Sequence, residues 1–215
     1  MATLLELKTR IRLETNKDDI ASDGEAETAL ITAITQAIEY YSAERFWFNR
    51  ASGTANTSAS TAAIALPAGI RYPRAVSYLS TLLRRADLGE IEYRSETGPP
   101  SRWAENEGAI QLWPIPDATY TLAVYGLAAT GIPASDGAAN IWTVEALDLI
   151  CARAKFLLYR DVWRDMDAVQ LAASAEGEAL SRLRNETRRR GIAPLRSSGD
   201  EPWSARSSFN INRGY

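Results

Sequence analysis

The chain has 215 residues, 46% hydrophobic and 24% charged, with a formal net charge of −3, the balance of a globular protein with a real core. It has no histidine and a single cysteine, Cys151, which removes Ser-His and Cys-His nucleophile pairs, the commonest metal ligand and any internal disulfide. No apolar run approaches the roughly 20 residues that cross a bilayer, and the start "MATLLELKTRIRLETN" has no secretory pattern, so neither membrane association nor export is expected.

In chain order, Leu4, Leu7 and Ile11 recur at helical spacing, and Thr3 faces Glu6 in a capping box, predicting a helix over Thr3–Glu14. "NKDDIASDGEAE" follows as a polar loop. A second helix is predicted from about Glu25 to Trp47, with Leu30, Ile34, Ile38 and Tyr41 on its stripe and acidic residues in its first turn. Arg50–Thr61 is small and polar, a loop or weak edge strand. Short strands are expected around Ala63–Leu66, Ala75–Leu83, Glu90–Arg94 and Ser101–Glu105. "GAIQLWPIPDATYTLAVYG", Gly108–Gly126, is expected to be a hairpin whose tip carries Pro114, Pro116 and Asp117.

Ala129–Asn140 leads back to helices as a linker. Val144, Leu147, Ile150, Cys151, Ala154 and Leu158 mark a third helix from Thr143 to about Asp165. A fourth is predicted over Asp167–Arg190, with Gly191 placed to cap it. Beyond it, "IAPLRSSGDEPWSARSSFNINRGY" shows no helical or strand period. The expected fold is therefore α+β: a four-helix bundle (1–50 and 140–191), an antiparallel β insertion between helices two and three (51–139), and an extended C-terminal arm (192–215).

Chemistry is sparse. Asp161 and Asp165 stand one turn apart but interleave with Arg160 and Arg164, the pattern of a solvated ion-pair face. Glu105 and Glu107 could form a glycosidase pair only across a cleft. Cys151 falls on an apolar stripe and reads as a buried structural thiol. The isolated glycines form no phosphate loop. No catalytic, cofactor or metal site is expected. Charge is uneven: Arg182–Tyr215 carries eight arginines against three acids, a net +5, leaving −8 on the remainder. Such an end suits an acidic protein surface or nucleic acid. "YYSAERFWFNR" crowds aromatics at one helix end, either a packing seam or a subunit contact.

In this order, several segments resemble the head-to-tail adaptor proteins of tailed bacteriophages, also called connector, gatekeeper or head-completion proteins. They are "MATLLELKTRIRLETNKDDI", "AITQAIEYYSAERFWFN", "GAIQLWPIPDATYTLAVYG", "NIWTVEALDLICARAKFLLYRDVWRD" and "EGEALSRLRNETRRRG", which together cover Met1 to Gly191. The resemblance implies a non-enzymatic virion protein of the neck, made in the host cytoplasm and needing no cofactor. It implies a ring of copies, twelve-fold, below the portal, through which DNA passes without sequence-specific binding. Tail or nozzle proteins would meet the β unit, at Trp113, Pro114, Ile115, Pro116 and Asp117. The arm, with Arg196, Trp203, Arg206, Phe209, Ile211, Arg213 and Tyr215, would bind the portal. Tyr40, Phe46, Trp47, Arg188, Arg189 and Arg190 are the candidate subunit contacts. Two other functions compete: an arginine-rich nucleic-acid-binding module, and a wall-degrading hydrolase acting through Glu105 and Glu107.

Overall fold

The computed structural model describes residues 1–16 and 24–190. Gly191 and the arm residues Arg196, Trp203, Arg206, Phe209, Ile211, Arg213 and Tyr215 lie outside the described residues, as does most of the loop after the first helix. Contacts divide the chain into two compact units, one holding residues 1–51 and 127–190, the other 52–126.

In the first unit, α1 (Leu4–Thr15) opens with the capping box read from sequence: Glu6 N–H donates to Thr3 Oγ1 at 3.2 Å, and Thr3 N–H to Glu6 Oε2 at 3.1 Å. α2 (Gly24–Ser42) buries Leu30, Ile34, Ile38 and Tyr41. It stops short of the expected Trp47 because Asn49 takes over the backbone. Asn49 Oδ1 accepts from Phe46 N–H at 2.9 Å, and its Nδ2 donates to the Glu44 carbonyl at 2.6 Å. These bonds fold the aromatic run into a turn.

The expected third helix is three pieces. Asn140 Oδ1 accepts the N–H groups of Trp142 and Thr143, both at 3.0 Å, starting α4 (Ile141–Glu145) before the predicted Thr143. The backbone breaks at Ala146, then α5 (Leu147–Leu157) runs into a π-helical turn (Leu158–Trp163). Arg164, with φ 55°, ends it, and Asp165 caps the final helix. α5 is central, packing against α1, α2 and that last helix. Leu7 and Ile11, Leu30 and Ile34, Leu149 and Ile150, and Leu183 meet in one core.

The second unit carries most of two four-stranded sheets. Their strands are β1 (Arg50–Asn56), β2 (Ala63–Ala65), β3 (Ile70–Tyr78), β4 (Thr81–Leu82), β5 (Arg84–Arg85), β6 (Arg102–Asn106), β7 (Ala109–Trp113) and β8 (Thr121–Ala128). One sheet has the order β1-β8-β3-β4, the other β2-β7-β6-β5. The helices are completed by α3 (Leu88–Ile91), where a strand was expected, and α6 (Met166–Arg189).

These elements overturn the expected fold class. The described residues form six helices and two four-stranded sheets, not a four-helix bundle carrying a single β insertion. The expected 108–126 hairpin fails with it, because β7 and β8 belong to different sheets. The real hairpin joins β6 to β7, with Asn106 opposite Ala109. Its two turn residues, Glu107 and Gly108, both have positive φ (45° and 80°), the handedness that two-residue hairpins require. β5 and β6 run parallel, so the second sheet is not purely antiparallel.

Candidate functional site

The segment Trp113–Asp117 is held as a rigid crossing between sheets rather than as a turn tip. Ile115 N–H donates to the Glu96 carbonyl at 2.8 Å, and Gly98 N–H returns a bond to the Ile115 carbonyl at 2.9 Å. Ser101 N–H bonds the Trp113 carbonyl, and Ser60 N–H bonds the Pro116 carbonyl. The Trp113–Pro114 bond is cis, and Pro116 is buried.

On this frame the half-buried Trp113 ring has two guanidinium groups near it, Arg94 at 4.9 Å and Arg102 at 5.0 Å from its centroid. Its indole N–H donates to Glu96 Oε2 at 3.0 Å. That bond, with the nearby Arg94 charge, holds the Glu96 carboxyl below the usual range. Arg102 is itself paired with Glu90. Asp117 Oδ1 accepts from the Tyr120 hydroxyl at 2.5 Å, which pushes that phenol up to about 12. Tyr93, nearby in sequence, is exposed. An aromatic flanked by arginines on a preordered backbone is the composition of a protein-contact hot spot.

The candidate subunit contacts lie in the first unit and separate by burial. Phe46 is fully enclosed, edge-on to Trp142 at 6.1 Å, so it is core rather than surface. Tyr40 is 61% exposed, with the Arg153 guanidinium 4.0 Å from its ring centroid. Arg153 in turn pairs with Glu176 at 3.3 Å, and Glu176 accepts from the Tyr41 hydroxyl. Burial, reinforced by that hydrogen bond and charge, raises the Tyr41 phenol far above its ordinary value. Trp47 lies under Arg190, at 4.4 Å.

The arginines of α6 are largely satisfied within the unit. Arg184 grips Glu44 with both nitrogens at 2.5 and 3.2 Å, Arg182 reaches Asp148 at 2.9 Å, and Arg189 and Arg190 pair with Glu186 at 3.1 and 2.9 Å. Arg188 is exposed.

The other chemical candidates are occupied structurally. Asp161 is clasped by Arg160 at 2.6 and 2.8 Å, and Asp165 spends its carboxylate on the Ala168 N–H at 3.1 Å. Glu105 and Glu107 are exposed, the first 3.7 Å from Arg85 and the second in the β6–β7 turn. Cys151 is buried, and burial beside Glu14 pushes its thiol up to about 12. Among the described residues no cluster of three or more His, Cys, Asp or Glu is placed to hold a metal, and no helix is long and apolar enough to cross a membrane.

Sequence reasoning missed the Arg94–Trp113–Arg102 stack and the Tyr40–Arg153–Glu176 chain, since both join residues from separate elements. A local signal did exist for the helix start at Asn140, in its Asn-x-x-Thr spacing.

A family model described as SU10 adaptor protein matches residues 2–198. The chain belongs to this family of phage head-to-tail adaptor proteins, as its segments had suggested. It is thus a structural phage protein. No curated protein matches the chain.

Proposed function

We propose that copies of this chain assemble side by side into a ring, twelve-fold, below the portal of a phage capsid, extending the DNA channel and receiving the tail. The family match over residues 2–198 is the observation that supports this reading. In the ring, exposed Tyr40 with its underlying Arg153, and Trp47 with Arg190, form the contacts between neighbours. The Trp113–Asp117 crossing faces tail or nozzle proteins, where its fixed backbone spares the ordering cost of docking. The arm beyond α6 reaches the portal.

The nucleic-acid alternative draws less support, because Arg182, Arg184, Arg189 and Arg190 spend their charge on carboxylates of the same unit. DNA then passes without base-specific contact. Size-exclusion chromatography of the protein with purified portal rings tests the assignment: co-elution that persists at 0.5 M salt is expected (about the ionic strength at which surface charge contacts are screened). Failure to co-elute, combined with steeply salt-dependent binding to free DNA, would favour the nucleic-acid module.

A further inference from the structure

The outer face of the second sheet carries a row of cations that the fold does not use up. β5 and β6 pair in parallel, with Arg84 opposite Arg102 and Arg85 opposite Trp103. β6 and β7 then set Arg102 opposite Trp113 and Trp103 opposite Leu112. Opposed residues point to the same face of a sheet, and successive ones to opposite faces. Trp103 and Leu112 are buried, and the Arg85 guanidinium lies over Trp103 at 5.3 Å, which marks their side as the packed one. Arg84, Arg102 and Trp113 therefore share the outer face, in one row across three strands that is about 10 Å wide at ordinary strand spacing.

Two arginines directly opposite each other destabilise a sheet unless something negative relieves them. Arg102 is relieved by its ion pair with Glu90. Arg84 is exposed, and no described carboxylate pairs with it. Arg94 is exposed as well. Its Nε donates to the Glu90 carbonyl at 2.9 Å and its guanidinium rests 4.9 Å from the Trp113 centroid, but it forms no ion pair among the described residues. The face thus presents two unspent guanidiniums beside a half-buried indole. The arginines of α6, by contrast, largely spend their charge inside their own unit.

The partner that fits is negative, but sparsely so. Residues 52–126 contain six arginines, no lysine and seven acids, and Glu90, Glu92 and Glu96 are exposed in the segment that carries Arg94. Duplex DNA bears a charge about every 1.7 Å of its axis and would press phosphates onto those carboxylates. An extended polypeptide spaces same-side residues about 7 Å apart, leaving room between its charges. A carboxylate also matches the guanidinium fork with two parallel hydrogen bonds.

We propose that this row binds an extended acidic segment of a partner protein, whose carboxylates pair with Arg84 and Arg94 beside Trp113. Resting on the reading of the Trp113–Asp117 crossing as tail-facing, that partner is a tail or nozzle protein. The opposed arginines are unfavourable in the free chain and become favourable when the acidic segment docks.

NMR of the backbone, arginine and indole N–H groups of the isolated chain tests this without portal or tail, so its failure leaves the ring assembly untouched. The probe is the peptide Ac-Glu-Ser-Glu-Ser-Glu-NH2 at low salt, with Ac-Gln-Ser-Gln-Ser-Gln-NH2 and a tetranucleotide of equal charge as controls. The glutamate peptide is expected to shift the signals of Arg84, Arg94 and the Trp113 indole, and the glutamine peptide to leave them in place. The variant Arg84→Gln/Arg94→Gln should bind the glutamate peptide about fivefold or more weakly. Arg84→Gln alone should raise the melting temperature of the free chain by about 1–3 °C at low salt, since it removes the opposed charge. A glutamate peptide that shifts these signals no more than its glutamine control overturns the proposal. So does a tetranucleotide that shifts them more strongly, equal peptide binding by the double variant, or a melting temperature that stays level or falls in Arg84→Gln.

Discussion

The ammonium of Lys8 lies 2.6 Å from the carboxylate of Asp136, tying α1 to the segment that leads from β8 back to the helices. Lys8 is almost fully buried and also meets Glu27 of α2 at 2.8 Å. Backbone bonds run parallel to this link, from Leu4 N–H to the Ala138 carbonyl and from Leu5 N–H to the Asp136 carbonyl. One buried cation thus joins three parts of the first unit.

Replacing Lys8 should therefore loosen that unit. Lys8→Ala is expected to cost about 2 kcal/mol, below the full value of a buried pair because Asp136 is half exposed. Lys8→Met, which keeps the buried stem, should cost less. Burial disfavours the charged amine, but the Asp136 and Glu27 hydrogen bonds outweigh it and raise its pKa. The contribution is present below the ordinary lysine value and is lost as pH rises through the raised one. Urea unfolding of both variants checks the order, and equal stability of Lys8→Ala and the parent would contradict it.

Alkaline pH should weaken the fold through Cys151 as well. Its buried thiol stays protonated to about 12, whereas an unfolded thiol ionises near 8.5, so the folded state binds the extra proton between those values. Stability should fall across that window, by about 2 kcal/mol from this group at pH 10. Cys151→Ala is expected to be less stable at neutral pH yet to lose less between pH 8.5 and 10. Parallel pH profiles for the two proteins would refute the assignment.

Two glycines should respond in opposite directions. A Cβ on Gly126 of β8 would strike the Tyr72 carbonyl oxygen and approach Ile70 Cγ2 to 2.8 Å, so Gly126→Ala should cost about 2 kcal/mol or more. Gly177, inside α6, has open space around its Cβ position. Gly177→Ala should stabilise by about 0.5–1 kcal/mol through helix propensity. Thermal unfolding of both variants reads the signs directly.

Much of the first unit was legible because its signals are local. The Thr3–Glu6 box and the stripe of α2 lie within a turn or two of sequence. The end of α2 was not, since the Asn49 side chain that closes it lies beyond the apolar stripe. The second unit was read poorly for a different reason. β7 and β8 both alternate convincingly, but apart from the local β6–β7 hairpin their partners, β2 for one and β1 and β3 for the other, are set by contacts far apart in sequence. "IPDA" therefore looked like a tip, while Glu107–Gly108 was passed over as strand end. At the candidate site, Trp113 was singled out from sequence, but its guanidinium partners Arg94 and Arg102 come from other segments.

Trp113 should matter for docking and little for folding. Trp113→Ala is expected to weaken binding of tail proteins by about 2 kcal/mol, the scale of a hot-spot aromatic. The melting temperature of the isolated chain should move by only a few degrees, since the ring is half exposed and the backbone around it is held by Ser60, Gly98 and Ser101. Unchanged affinity with full folding would remove this crossing from the tail-facing surface.

The most direct test of the adaptor role is electron microscopy of the protein mixed with its purified portal. Class averages should show a ring of added density on one face of the portal, with twelve-fold symmetry and an open central channel. Portal particles that stay bare at saturating protein, or density scattered without a ring, would contradict it.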